Sequence, residues 1–149
     1  MRKDYLAVSF IAAFLFFAGC GGVTMHVKKG ELRDVLPQEF VEKRYIQTIG
    51  IGAADESMRS KTQRRSASRN AAIVMAHYEM LGIVKGIKLV GGVTVEKAME
   101  TDSRILSVVD DSIKGTEIIQ TEWTEDDGCV VTLRLDRKRL EEQIGEKFE

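Results

Sequence analysis

Few residues of this 149-residue chain carry side chains suited to catalysis or metal binding. It has two cysteines, Cys20 and Cys129, and two histidines, His26 and His77. Thiolates and imidazoles act as nucleophiles, bases and metal ligands when such groups converge. Cys129 has no histidine near it in the sequence, and Glu79, close to His77, is two residues on and so faces away on a helix. We therefore predict no catalytic residue, no metal site and no cofactor.

Two groups of adjacent carboxylates are the next candidates, because paired acids serve glycoside hydrolysis and calcium binding. Asp110 and Asp111 fall on the surface of a predicted helix. Glu125, Asp126 and Asp127 fall in a predicted hairpin turn, where aspartate favours the turn itself. We interpret both groups as structural, and the chain is predicted not to be an enzyme.

Cys20 differs from these residues because of the sequence before it. A positive start, an apolar run at 6–17 and two small residues precede the cysteine, as MRKDYLAVSFIAAFLFFAG. This order is typical of a secretory signal peptide. The apolar run is shorter than the ~20 residues that a helix needs to cross a bilayer.

The ending Phe17-Ala18-Gly19-Cys20 resembles the lipobox of bacterial lipoproteins, in which a hydrophobic residue and two small residues precede the cysteine. The resemblance implies cleavage between Gly19 and Cys20 and lipid on the Cys20 sulfur, which holds the chain at a membrane surface. Gly21, which is not aspartate, favours the outer membrane by the sorting rule of enteric bacteria. The domain would then face the periplasm or the cell exterior. An uncleaved N-terminal helix and an ordinary cleaved signal peptide are the alternatives.

These features divide the chain into three parts. Residues 1–19 are the predicted lipoprotein signal peptide, 20–44 the lipidated cysteine and a tether, and 45–149 a single α+β domain. We expect a small antiparallel sheet packed against a long helix. The predicted order is β-α-β-α-β-β-α: strand 45–54, helix 60–84, strand 87–99, helix 102–114, strands 116–124 and 129–135, and helix 136–148.

Two patterns predict how these elements begin and pack. Ser60 and Gln63 fit a capping box at the start of the long helix, which Gly82 or Gly86 would end. Cys129 opens an alternating strand whose apolar side we expect in the core. One face of the long helix carries the apolar residues that we expect to pack on the sheet: Ala67, Ala71, Val74, Tyr78 and Leu81.

The charge of the chain argues against nucleic-acid binding. The formal net charge is −1, although 30% of residues are charged. Arg64, Arg65 and Arg69 form a local basic patch, which could bind peptidoglycan, lipopolysaccharide or an acidic partner. A solvated helix face is the alternative interpretation.

Four segments carry a resemblance when taken in order: 37–41 (PQEFV), 49–54 (IGIGAA), 66–86 with its alanines and Gly86, and 118–135 with Trp123 and Gly128. They are similar to one protein family, the twenty-kilodalton outer-membrane lipoproteins (Lpp-twenty type), which include flagellum-associated members. The resemblance implies a sheet packed on a long helix, no catalytic residue, and a structural or assembly role at the cell envelope through self-association or an envelope protein complex. A binding module for a small ligand or a cell-wall glycan is the alternative. Phe40 departs from the family, which has tryptophan there.

Overall fold

The computed structural model describes residues 25–33, 39–41 and 43–149. The predicted signal peptide, the cleavage site at Gly19 and the lipidation site at Cys20 lie outside these residues. In the described part, six strands and four helices follow one another: β1 (Val27–Lys28), β2 (Glu31–Leu32), β3 (Glu39–Val41), β4 (Tyr45–Gly52), α1 (Lys61–Gly86), α2 (Val95–Thr101), α3 (Ser103–Lys114), β5 (Glu117–Trp123), β6 (Cys129–Asp136) and α4 (Arg137–Ile144).

The strands form two small antiparallel sheets, which confirms the α+β class. The larger sheet has the order β3-β4-β6-β5, and β1 pairs only with β2. Gly50 of β4 lies opposite Val131 of β6, and Cys129 opposite Trp123 of β5. A register shift between Ile118 and Gln120 bends β5 at the edge of the sheet.

Helix α1 packs very closely on β4. A Cβ atom on Gly50 would lie 1.9 Å from the carbonyl oxygen of Ala72, and one on Gly52 would lie 1.9 Å from that of Ser68. Thr48 donates its hydroxyl to the Ala76 carbonyl at 2.9 Å. Glycine on the strand and small residues on the helix therefore bring the two backbones into contact, which larger side chains would prevent.

The predicted packing face of α1 is wrong. Val74 and Tyr78 are 65% and 71% exposed. At 100° per residue they lie on the opposite side of the helix from the residues that are buried, which are Ser68, Ala72, Ala76, Met80 and Val84. Both sides carry apolar residues, and the close approach of the strand selects the side with the smaller ones. Ser60 is the N-cap residue as predicted, but its side chain makes no capping hydrogen bond.

The predicted strand at 87–99 is also wrong. Lys88 and Leu89 form only isolated bridges, and the chain then turns into α2. Gly91 and Gly92 both have positive φ, 108° and 80°, which reverses the chain. Thr94 then caps α2, accepting from the Lys97 amide at 3.3 Å.

The C-terminal third follows the sequence prediction closely. Asp102 caps α3 and Gly115 ends it, and β5 and β6 form the expected hairpin around Asp127 and Gly128. Gly145, at φ 84°, ends α4 earlier than predicted. The predicted inward residues are buried in the main core: Cys129, Val131, Leu133, Leu135, Leu140, Ile144 and Phe148.

Residues 25–33 form a hairpin within the stretch predicted to be a tether. Lys29 and Gly30 have φ values of 55° and 83°, as a two-residue type I′ turn requires. Val27 is buried against Ile49 and Val130 of the sheet. The side chains of Ile49 and Val130 point away from α1, because side chains alternate between the two faces of a strand. The described residues therefore form three layers, in the order N-terminal hairpin (residues 25–33), sheet and α1. None of the helices in the described ranges is long and apolar enough to span a bilayer.

Candidate functional site

The predicted basic patch is organised around a single carboxylate, Asp127. Arg64 donates to its Oδ2 atom through Nε at 3.0 Å and Nη2 at 2.7 Å, and Arg65 donates to Oδ1 through Nε at 3.0 Å. Lys61 adds a longer contact, with Nζ 3.8 Å from Oδ1. The third residue of the predicted patch, Arg69, is half-buried and acts electrostatically on Cys129 instead. Arg64 and Arg65 thus meet at Asp127, whereas Arg69, one turn after Arg65 on α1, makes no ion pair with that carboxylate.

Asp127 lies in the turn between β5 and β6, and its contacts fasten this turn to the start of α1. Its φ of 63° directs the side chain toward the helix, and its carbonyl oxygen accepts from the Ser68 hydroxyl at 2.7 Å. The hydrogen bond from Arg64 holds the pKa of the Asp127 carboxyl below its usual range, and Arg65 and Lys61 add to the effect. Three cations thus face this one carboxylate.

The histidines and the described thiol are placed for structure. Burial lowers the pKa of His77, whose Nε2 lies 2.9 Å from the Thr116 hydroxyl. Burial also lowers the pKa of His26, against the opposing charge of Glu122. Cys129 is fully buried, and burial raises the pKa of its thiol, which disfavours the reactive thiolate. Across residues 25–33, 39–41 and 43–149, no three His, Cys, Asp or Glu side chains converge to hold a metal ion.

A second carboxylate, Glu122, binds the N-terminal hairpin to the outer face of the sheet. Its two oxygens accept from the His26 amide at 3.0 and 2.9 Å, and Oε1 also accepts from the Val27 amide at 3.0 Å. The Glu125 amide donates to the Gly30 carbonyl at 3.0 Å, at the other end of the hairpin. This contact was not predicted from the sequence. The turn residues Lys29 and Gly30 were a weak signal, whereas nothing pointed to Glu122.

Among the surface depressions of the described residues are a polar cleft and an apolar groove, neither of which the sequence predicts. A polar cleft of about 350 Å³ lies among β5, β6, α3 and α4. Within it Arg134 pairs with Glu117 at 2.7 Å and stacks over the Tyr45 ring at 4.7 Å from the centroid. An apolar groove of about 490 Å³ lies between α1 and α3, lined by Leu81 and Leu106 among others. Neither of these two cavities is enclosed.

The groove adjoins a larger apolar surface on α1. We call the residues Ala67, Ala71, Val74, Tyr78 and Leu81 the outer face of α1. Val74 and Tyr78 project from its middle, with Met75 beside them 46% exposed. Val74 and Tyr78, predicted to lie in the core, are thus exposed apolar side chains on the side of the helix away from the sheet, whereas Leu81 at the end of this face is half-buried and packs against the main core.

Comparison of the chain with protein-family models, with curated proteins and with solved structures finds no match.

Proposed function

We propose that this protein is a lipid-anchored, non-enzymatic lipoprotein of the bacterial cell envelope, with a structural or assembly role. The observation that carries the assembly role is the outer face of α1, on which Val74 and Tyr78 are 65% and 71% exposed. Apolar side chains aligned along two turns of a helix lose contact with water when a second surface covers them, and such stripes mark protein–protein contacts.

The lipid anchor is supported by the sequence before Cys20. A positive start, a short apolar run and the Phe17-Ala18-Gly19-Cys20 motif are what a lipoprotein precursor requires. By the same reasoning, Gly21 favours the outer membrane. A link to the flagellum rests on the resemblance to the twenty-kilodalton lipoprotein family.

Labelling with palmitate in living cells tests the anchor. The wild-type chain should incorporate the label and fractionate with membranes, and Cys20→Ser should do neither. Mass spectrometry of the mature wild-type protein should find an acylated N-terminal Cys20. An unmodified amino terminus, or a mature chain that begins elsewhere, would show that the anchor is wrong.

Cross-linking of the full-length protein in cells tests the assembly role. Wild-type protein should cross-link to copies of itself or to an envelope protein, and Tyr78→Lys should weaken that product about tenfold or more, because it places a charge at the centre of the contact. Thr62→Lys makes the same charge change at an exposed site near the start of α1 and should leave the product intact. No specific product from wild-type protein, or equal products from both variants, contradicts the proposal.

A further inference from the structure

We propose that the N-terminal hairpin is the membrane-facing side of the domain and lies against the lipid head groups, so that the outer face of α1 points away from the bilayer. This inference rests on the proposed acylation of Cys20. It adds an orientation that the anchor alone does not specify, because a lipid on a long flexible chain would let the domain rotate freely.

The length of chain between the anchor and the hairpin is short. Met25 is five residues after Cys20, and five residues span at most about 18 Å whatever their conformation. The hairpin that follows is fixed to the sheet by Glu122 and by Val27, which is 9% exposed. An acylated Cys20 therefore holds this face of the domain within about 18 Å of the bilayer surface.

The exposed side chains of the hairpin suit such a surface. Met25 and Leu32 are 63% and 40% exposed, although both are apolar. Three exposed basic residues accompany them, Lys28, Lys29 and Arg33. Leu32 pairs with Val27 and so lies on the sheet-facing side of the hairpin, at its margin, whereas Lys28 lies on the side away from the sheet. Long basic side chains on that outward side can reach lipid head groups.

The charged residues near the hairpin indicate whether it should prefer anionic lipid. Glu31 of the hairpin and Glu125 and Asp126 of the neighbouring turn are exposed acids that balance the three basic residues. A strong preference for anionic lipid needs an excess of basic charge. The hairpin is therefore expected to contact the head groups through its long basic side chains, without a strong preference for anionic lipid.

The layers of the fold place the outer face of α1 on the opposite side. The sheet lies between the hairpin and the helix, since Ile49 and Val130 face Val27 while Thr48 and Gly50 face α1. Two layer spacings of about 10 Å and the radius of a helix put Tyr78 roughly 25 Å from the hairpin. The stripe proposed for assembly is thus free to meet partners beyond the membrane.

Paramagnetic quenching on vesicles tests the orientation. The full-length, acylated protein is incorporated into phosphatidylethanolamine–phosphatidylglycerol vesicles that contain a head-group spin-labelled lipid. A fluorophore is attached to Leu32→Cys in one sample and to Tyr78→Cys in another. Cys129 is fully buried and takes no label in the folded protein. A second pair, Lys28→Cys and Val74→Cys, guards against one variant that fails to fold.

The hairpin positions should be quenched several-fold more strongly than the α1 positions. Equal quenching in both pairs, or stronger quenching on α1, would overturn the orientation. Mass spectrometry of the same samples separates this result from the proposed function. If Cys20 is not acylated, the proposed lipid anchor is wrong. If Cys20 is acylated and quenching is equal at both positions, only the proposed orientation is wrong.

Discussion

Asp127 combines a positive φ of 63° with a buried carboxylate that accepts from Arg64 and Arg65. Its place in a turn follows from the sequence, because Asp-Gly between two alternating strands is a strong hairpin signal. The sequence does not predict its two arginine partners, which lie 62 and 63 residues earlier. Sequence periodicity describes neighbours within an element, and contacts across the fold lie outside its range.

Replacing Asp127 by asparagine should destabilise the protein at neutral pH, because two arginines then lose their buried anionic partner. Asparagine tolerates positive φ, so the substitution isolates the charge. The pKa of Asp127 is lowered in the folded state, so its contribution is complete above the unfolded value of about 3.9 and is lost as pH falls through the folded pKa.

Urea denaturation at a series of pH values checks this effect. The midpoints of wild type and Asp127→Asn should differ at pH 7 and converge on acidification below pH 4. Asp111→Asn, at an exposed site on α3, should differ little from wild type throughout. A difference between wild type and Asp127→Asn that does not depend on pH would contradict the assigned cause.

At the scale of elements, the sequence predicted where α1 begins and ends better than how it packs. Its termination at Gly86 was one of two expected ends, and its start after Ser60 was expected. The predicted packing face of α1 was wrong because apolar residues recur at helical spacing on both sides of the helix. The signal that decides between them lies on the partner strand, where Gly50 and Gly52 have no side chain and so require small residues opposite.

The contact between α1 and β4 yields a matched pair of glycine substitutions. Gly50→Ala should lower the free energy of unfolding by more than the ~1–3 kcal/mol of ordinary overpacking. The reason is that the new Cβ would lie 1.9 Å from a backbone oxygen of a rigid helix. Gly82→Ala, in the exposed interior of α1 with open space around it, should stabilise by ~0.5–1 kcal/mol. Chemical denaturation measures both, and comparable stability of the two variants would refute the close packing.

The three-layer arrangement is a property of the whole molecule that the sequence did not predict. The strands and helices of the C-terminal third were recognisable because each has its own periodicity and cap. The N-terminal hairpin has strands of two residues, too short to show a period, and its main polar contact is with Glu122 on a distant strand. The hairpin layer can therefore be identified only from the three-dimensional structure, where its contacts with the sheet are visible.

Glu122→Ala should release this layer and leave the other two in place. Hydrogen bonds to a charged acceptor contribute ~1.5–3 kcal/mol, so the amides of His26 and Val27 should exchange with deuterium about ten- to a hundredfold faster. Exchange in β4 and α1 should change little. Glu117→Gln, on the same strand but paired with Arg134, is the control. Unchanged exchange at His26 and Val27 would mean that Glu122 does not hold the hairpin.

The contact between His26 and Glu122 also determines when the N-terminal hairpin can dock during synthesis of the chain. The two residues are 96 positions apart, so the hairpin has nothing to dock on until β5 has been synthesised. In a chain that emerges amino terminus first, residues 25–33 therefore remain undocked while most of the domain is still to be made. Completion of the sheet then allows the hairpin to dock through Glu122.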